Sequence, residues 1–150
     1  MNYGEKLKTI RADKNLTQND IAEILNISRS AYKDYETQIK IIPIKHLVTL
    51  SNYYDISIDY ILGISNINKY SEKKEIDKIE AGNRLKELRK ENQLTQKKLA
   101  EILNTTFSNI AFYEKGRNLI ATPFLYMICK KYKISADYLL GRIDYPKYII

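Results

Sequence analysis

The sequence predicts an all-α protein built as two tandem copies of one five-helix unit. Three observations carry that expectation. The chain repeats itself at a spacing of 78 residues: Gly4 aligns with Gly82 and Gly63 with Gly141, no gap is needed, and about 24 of the 60 aligned positions are identical, well above what shared composition produces. Apolar residues recur three and four apart, the period of a helix buried on one face. Capping and turn-forming residues punctuate that pattern at matching places in both copies.

Each element follows in order. Tyr3, Leu7, Ile10 and Arg11 mark a first helix that the pattern carries to Leu16. Thr17 is an N-cap whose partner three residues on, Asp20, makes a near capping box. Ile21, Ala22, Ile24 and Leu25 give a short second helix, ended by Asn26, a residue that tolerates the left-handed conformation of a tight turn. Ser28 caps a third helix carrying Ala31, Tyr32 and Tyr35, and Tyr35 and its counterpart Tyr113 read as core. Pro43 suits the first turn of a fourth helix through Leu47, Leu50 and Tyr54. Ser57 opens a last short helix that Gly63 closes. The second copy repeats this with Thr95, Asn104, Thr106, Pro123, Ser135 and Gly141, but Lys98 removes the acidic partner from its second cap.

The predicted boundaries are residues 1–63 for the first unit, 64–81 for a linker, 82–141 for the second unit and 142–150 for a tail. The linker has no Gly or Pro, and its charged residues surround Ile76 and Ile79. It reads as a polar helix running into the second unit rather than as a floppy tether. The tail carries Tyr145, Tyr148, Ile149 and Ile150, which either dock or fray, and residues 148–150 offer an extra contact for an oligomer.

Composition narrows the function. With 44% hydrophobic and 29% charged residues a folded chain is expected. No apolar run approaches the ~20 residues of a membrane span. Met1 to Arg11 has no apolar h-region, so no signal peptide is expected. Cys129 and His46 are each the single residue of their type, which leaves neither a disulfide framework nor a zinc ligand set. The cytoplasm is the natural location. No cofactor, catalytic residue, metal ligand or small-molecule substrate is evident. Cys129 reads as core, and neither a phosphate-cradling glycine loop nor a nucleophile motif is present, so an enzyme is not expected. Net charge is +7, and its placement is lopsided: residues 1–63 carry 8 Lys+Arg against 8 Asp+Glu, 64–81 carry 4 against 4, and 82–150 carry 13 against 6. A basic half points to a polyanion.

Ala22, Asn26 and Ile27 fit two short helices crossing at close range, with Ile21, Leu25, Tyr32 and Tyr35 filling the angle; Leu99, Ala100, Leu103, Asn104, Ile110 and Tyr113 repeat the pattern. This is helix-turn-helix geometry, whose second helix enters a major groove. Leu16, Thr17, Gln18, Ile21, Ala22, Glu23, Leu25, Tyr35 and Glu36 resemble the Cro/repressor type of helix-turn-helix protein, the XRE family. Leu94, Thr95, Gln96, Leu99, Ala100, Glu101, Leu103, Tyr113 and Glu114 resemble it more closely, and Lys115, Gly116 and Arg117 match its basic loop. The closing residues Ser57, Asp59, Tyr60, Leu62 and Gly63, with Ser135, Asp137, Tyr138, Leu140 and Gly141, are similar to its last helix. The resemblance implies two lambda-repressor-like bundles, prokaryotic or phage, that bind double-stranded DNA in a sequence-specific way, usually to repress transcription.

By the same resemblance, Gln18 and Gln96 would bond phosphates, and Arg29, Ser30, Lys33 and Asp34 would face bases. Arg29 would read guanine N7 and O6, unless it is only a solvated charge. Arg11 with Glu36, and Arg89 with Glu114, would form internal ion pairs. The second copy departs from the pattern, because its base-facing positions are Phe107, Ser108, Ala111 and Phe112. These would pack on thymine methyls or on a protein. Lys97, Lys98, Lys115 and Arg117 suit phosphates there, whereas the first copy has only Lys40 in its loop. Two readings stay open. One is a DNA-binding regulator with two unequal reading heads, as a single chain or a homodimer. The other is a protein-interaction module (antirepressor, antitoxin or adaptor) on the same scaffold, chiefly through the second copy.

Overall fold

The computed structural model describes residues 2–149. Contacts divide the chain into two compact units, Met1–Lys69 and Tyr70–Ile150. Unit 1 holds α1 (Tyr3–Asp13), α2 (Gln18–Leu25), α3 (Arg29–Glu36), α4 (Ile44–Tyr54) and α5 (Ile58–Ile61). Unit 2 holds α6 (Lys78–Glu91), α7 (Gln96–Leu103), α8 (Phe107–Glu114), α9 (Thr122–Tyr132) and α10 (Ala136–Leu139). Among the described residues there is no strand, only an isolated antiparallel bridge between Ile134 and Tyr148. The architecture is all-α, with two tandem helix-turn-helix bundles.

The first helix stops at Asp13, three residues short of the Leu16 its apolar pattern suggests. Asn15 takes a left-handed φ of 58°. Its N–H bonds Ala12 O at 2.9 Å and that of Leu16 bonds Arg11 O at 3.2 Å, the double closure of a Schellman end. Gln93 (φ 57°) does the same after α6. Neither site has the glycine that usually advertises this turn.

Each core is a shell of aliphatic side chains around the short crossing of the helix-turn-helix. Leu7, Ile21, Leu47, Leu50, Ile58 and Ile61 fill the first, and Leu85, Leu99, Leu103, Ile110, Leu125 and Ile128 the second. Tyr113 is buried, but Tyr35 is only half-buried, against the His46 ring at 5.9 Å. The inward row of α3 is Tyr32 and Glu36, one turn apart, which leaves Tyr35 on the flank. Cys129 is buried on α9.

The linker is not a continuous helix. Residues 64–69 close unit 1: Ser57 N–H donates to Asn68 O at 2.7 Å, Ser57 Oγ to Ile67 O at 2.7 Å, and Lys69 pairs with Asp55 at 2.6 Å. In unit 2, Lys74 N–H donates to Arg142 O at 2.6 Å, and its ammonium reaches Asp144 at 2.8 Å. Backbone groups engaged this way do not join a helical ladder. Helix begins only at Lys78, where Asp77 accepts from the N–H groups of Ile79 and Glu80 at 2.8 and 3.4 Å. The tail docks on its own unit. Ser135 N–H donates to Lys147 O at 2.8 Å, and Lys147 and Tyr148 bond Glu91 at 2.7 and 3.1 Å. Ile150 lies outside the described residues.

Candidate nucleic-acid interface

The crossing of α2 and α3 rests on a small residue and a turn. Ala22 is buried and lets the backbones approach. Asn26 takes φ 56°, and Ile27 N–H closes the turn on Ala22 O at 2.9 Å. Ser28 Oγ then accepts from Ala31 N–H at 3.1 Å and starts α3. Ala100, Asn104 (φ 57°) and Thr106, which accepts from Asn109 N–H at 3.1 Å, repeat the device in unit 2. The capping box is complete in unit 1, where Thr17 N–H donates back to Asp20 at 2.8 Å; in unit 2 Thr95 keeps only the forward bond, from Lys98 N–H at 3.0 Å.

One polar cluster fixes how the helices meet. Arg11 donates through Nε to Glu36 Oε2 at 2.7 Å, through a second nitrogen to Oε1 at 3.0 Å, and through the third to Leu16 O at 2.8 Å. Gln18 Nε2 adds a bond to the same carboxylate at 3.1 Å. Burial pushes the Glu36 carboxyl up, but the bonds from Arg11 and Gln18 outweigh it and hold the group below its ordinary range. In unit 2, Arg89 and Gln96 bond Glu114 in the same way, at 2.7, 3.0 and 3.0 Å. The cluster joins the C-terminal half of the first helix, the start of the second and the end of the third in each unit.

That frame leaves the N-terminal face of the third helix in solvent. Arg29, Ser30 and Lys33 are exposed, and Asp34 is half-buried, 3.8 Å from Lys40. On α8, Phe107 is 55% exposed and Phe112 37%. Ser108 is exposed and Ala111 half-buried. The Arg117 guanidinium lies 5.3 Å from the Phe112 ring centroid. Lys97, Lys98 and Lys115 are exposed, with Lys98 3.8 Å from Glu101.

Some residues around this face escape sequence reasoning. Gln38 takes φ 61° and its side-chain oxygen accepts from Gly4 N–H at 3.0 Å, tying the loop after α3 to the start of α1. The available signal is the repeat, which aligns Gln38 with Gly116, itself at φ 76°. Ile39 and Ile41 in that loop are 73% and 56% exposed, where the repeat has Arg117 and Leu119 in unit 2. Asn109 bonds Thr105 and the Tyr113 hydroxyl, at 3.0 and 3.1 Å, bracing α8 from within. Among the described residues, no helix is long and apolar enough to cross a membrane.

Residues 7–61 match the family described as Helix-turn-helix, and residues 82–144 the family described as Helix-turn-helix domain. Both units are therefore helix-turn-helix domains. The two matches, together with relatives named as HTH-type transcriptional regulators, support the resemblance to the Cro/repressor-type, or XRE, family. Among its relatives is the uncharacterized HTH-type transcriptional regulator YobD of Bacillus subtilis (strain 168), 39% identical over 64 residues, or 43% of this chain and 57% of that protein. The HTH-type transcriptional regulator ImmR of the same strain is 36% identical over 72 residues, 48% of this chain and 57% of that one. The antitoxin PezA of Streptococcus pneumoniae serotype 4 (strain ATCC BAA-334 / TIGR4) is 32% identical over 60 residues, 40% of this chain and 38% of its own length. The chain thus spans little more than half the length of the first two relatives. No solved structure matches it.

Proposed function

We propose that this chain is a sequence-specific regulator of transcription that binds double-stranded DNA, acts as a repressor, and reads its site with two unequal recognition helices. The observation that carries the reading is the exposure of Arg29, Ser30 and Lys33 on α3 and of Phe107, Ser108 and Phe112 on α8, each set on a helix-turn-helix held by an arginine–glutamate–glutamine cluster. Arg29 has the fork that matches guanine O6 and N7, and Lys33 and Ser30 lie beside it on the same face. Gln18 and Gln96 each carry two amide hydrogens. One bonds the buried carboxylate, and we assign the other to a phosphate at the start of the second helix, where the helix dipole also favours an anion. Lys40, Lys97, Lys98, Lys115 and Arg117 take further phosphates. Such contacts supply affinity without sequence information. The names of YobD and ImmR support a regulatory role.

A second reading has a specific observation behind it. The apolar face of α8 and the similarity to the antitoxin PezA favour a protein partner for unit 2, with DNA left to unit 1.

Selection of bound sequences from a random duplex pool tests the proposal. Two working heads in one chain give an asymmetric consensus, because Arg29 and Phe107 do not read the same base alike. A palindrome points to a homodimer using one head per chain, its half-sites about 34 Å apart. A pool that never enriches overturns the DNA-binding reading.

A further inference from the structure

We infer that the α8 face of unit 2 is a reader of thymine, recognising the 5-methyl groups of T·A pairs in the major groove. The inference rests on the DNA-binding reading above and adds the chemistry that the second head recognises. Phe107 and Ala111 lie one turn apart, as do Ser108 and Phe112, so the four side chains form two adjacent rows on one helical surface. Three of the four have no hydrogen-bonding group. At the equivalent positions α3 carries Arg29 and Lys33, both donors.

The thymine methyl is the one apolar group that the major groove presents among the four bases. An apolar strip in that groove therefore has a single favourable target, and it leaves the exposed donors and acceptors of a G·C pair unmatched. The surroundings of the strip argue for DNA over a protein partner. Lys97 and Lys98 stand in the first turn of α7, and Lys115 and Arg117 follow the end of α8. A duplex groove has the same layout: neutral base edges between two rows of phosphates. Arg117 also stacks on the Phe112 ring at 5.3 Å, which holds an aromatic edge and a cation side by side.

The test uses the full chain and the operator obtained by selection, with deoxyuridine replacing thymidine one position at a time. Uridine lacks only the methyl, so pairing, charge and the rest of the groove are unchanged. Burying one methyl is worth on the order of a fourfold change in affinity. The expected result is a loss of about that size at one or two positions, all within one half-site. Phe107→Ala weakens binding to the thymidine operator and abolishes the difference between thymidine and deoxyuridine. Phe107 is 55% exposed, so the variant keeps its fold, and a melting curve matching the parent's verifies that. Phe112→Ala gives a second, independent reading of the same effect. If the chain binds its operator but every deoxyuridine duplex binds as well as the parent, the inference is overturned and the face is left to a protein partner. If no duplex is selected at all, the underlying DNA-binding reading falls with it.

Discussion

The guanidinium of Arg89 grips the carboxylate of Glu114 across 25 residues of chain with bonds of 2.7 and 3.0 Å, the same two lengths as Arg11 to Glu36. The side chains of Arg89 and Glu114 are 11% and 3% exposed, so removing one strands the other away from water. Arg89→Ala should cost roughly 3 kcal/mol of stability. Urea unfolding followed by circular dichroism measures it, and a loss under about 1 kcal/mol would mark the pair as a surface ornament.

Acid should weaken unit 1 through Glu36. Its folded carboxyl sits below the ordinary value of 4.5, so it contributes stability above that pH and loses it as pH falls through the lower folded value. Melting temperatures between pH 7 and pH 3 should drop in the parent. Glu36→Gln should start lower at pH 7 and fall less steeply, and parallel curves would contradict the linkage.

Gly82 is a packing constraint on α6, and a methyl group should not fit there. A Cβ at this position would stand 2.5 Å from Tyr113 O and 2.6 Å from Glu114 O, and one at Gly4 would meet Glu36 O in the same way. In an open helix, Gly→Ala gains roughly 0.5–1 kcal/mol. Here the collision reverses the sign, and Gly82→Ala should destabilise by about 1–3 kcal/mol. A stabilised variant would show that the first and third helices of the unit are not in close contact.

Tyr54→Phe should stabilise the chain. The Tyr54 hydroxyl is buried and has no hydrogen-bond partner among the described residues, and burial pushes its pKa up. Deleting an unsatisfied buried hydroxyl recovers on the order of 1 kcal/mol. Differential scanning calorimetry should show the first unit melting several degrees higher; a lower melting temperature would reveal an unseen partner for that oxygen.

Arg29→Ala and Lys115→Ala should behave differently on DNA. Loss of Arg29 should relax preference at one base pair by roughly 1–3 kcal/mol. Loss of Lys115 should weaken all sequences alike and lower the salt dependence by about one phosphate. Competition binding with single-base operator variants separates the two. A uniform loss on Arg29→Ala would reassign that residue to a phosphate.

Much of the fold was legible because its signals are local. Thr17 with Asp20, Asn26, Ser28 and Gly63 act within a few residues of themselves, and the structure uses each at its expected turn. What stayed hidden depends on distant partners. Residues 64–69 are held by isolated contacts such as Ser57 N–H to Asn68 O and Lys69 to Asp55, which leave no periodic trace. Left-handed turns at Asn15, Gln38, Asp55, Gln93 and Lys133 lack the glycine that announces them. Tyr35 looked like core because the pattern shows spacing but not how far α3 is rotated. The family resemblance pointed to Arg29 and Phe107 as counterparts in the candidate site, and the fold puts both side chains in solvent.

The tight seat of Gly4 and Gly82 has an evolutionary corollary. A larger side chain at either glycine collides with the backbone at the end of the third helix, whereas the outward edge of that helix is open to substitution. Doubling such a scaffold gives a lineage one spare text to rewrite without rebuilding the page. Exchanging Phe107, Ala111 and Phe112 for their counterparts in the other copy is then a change of vocabulary at constant architecture.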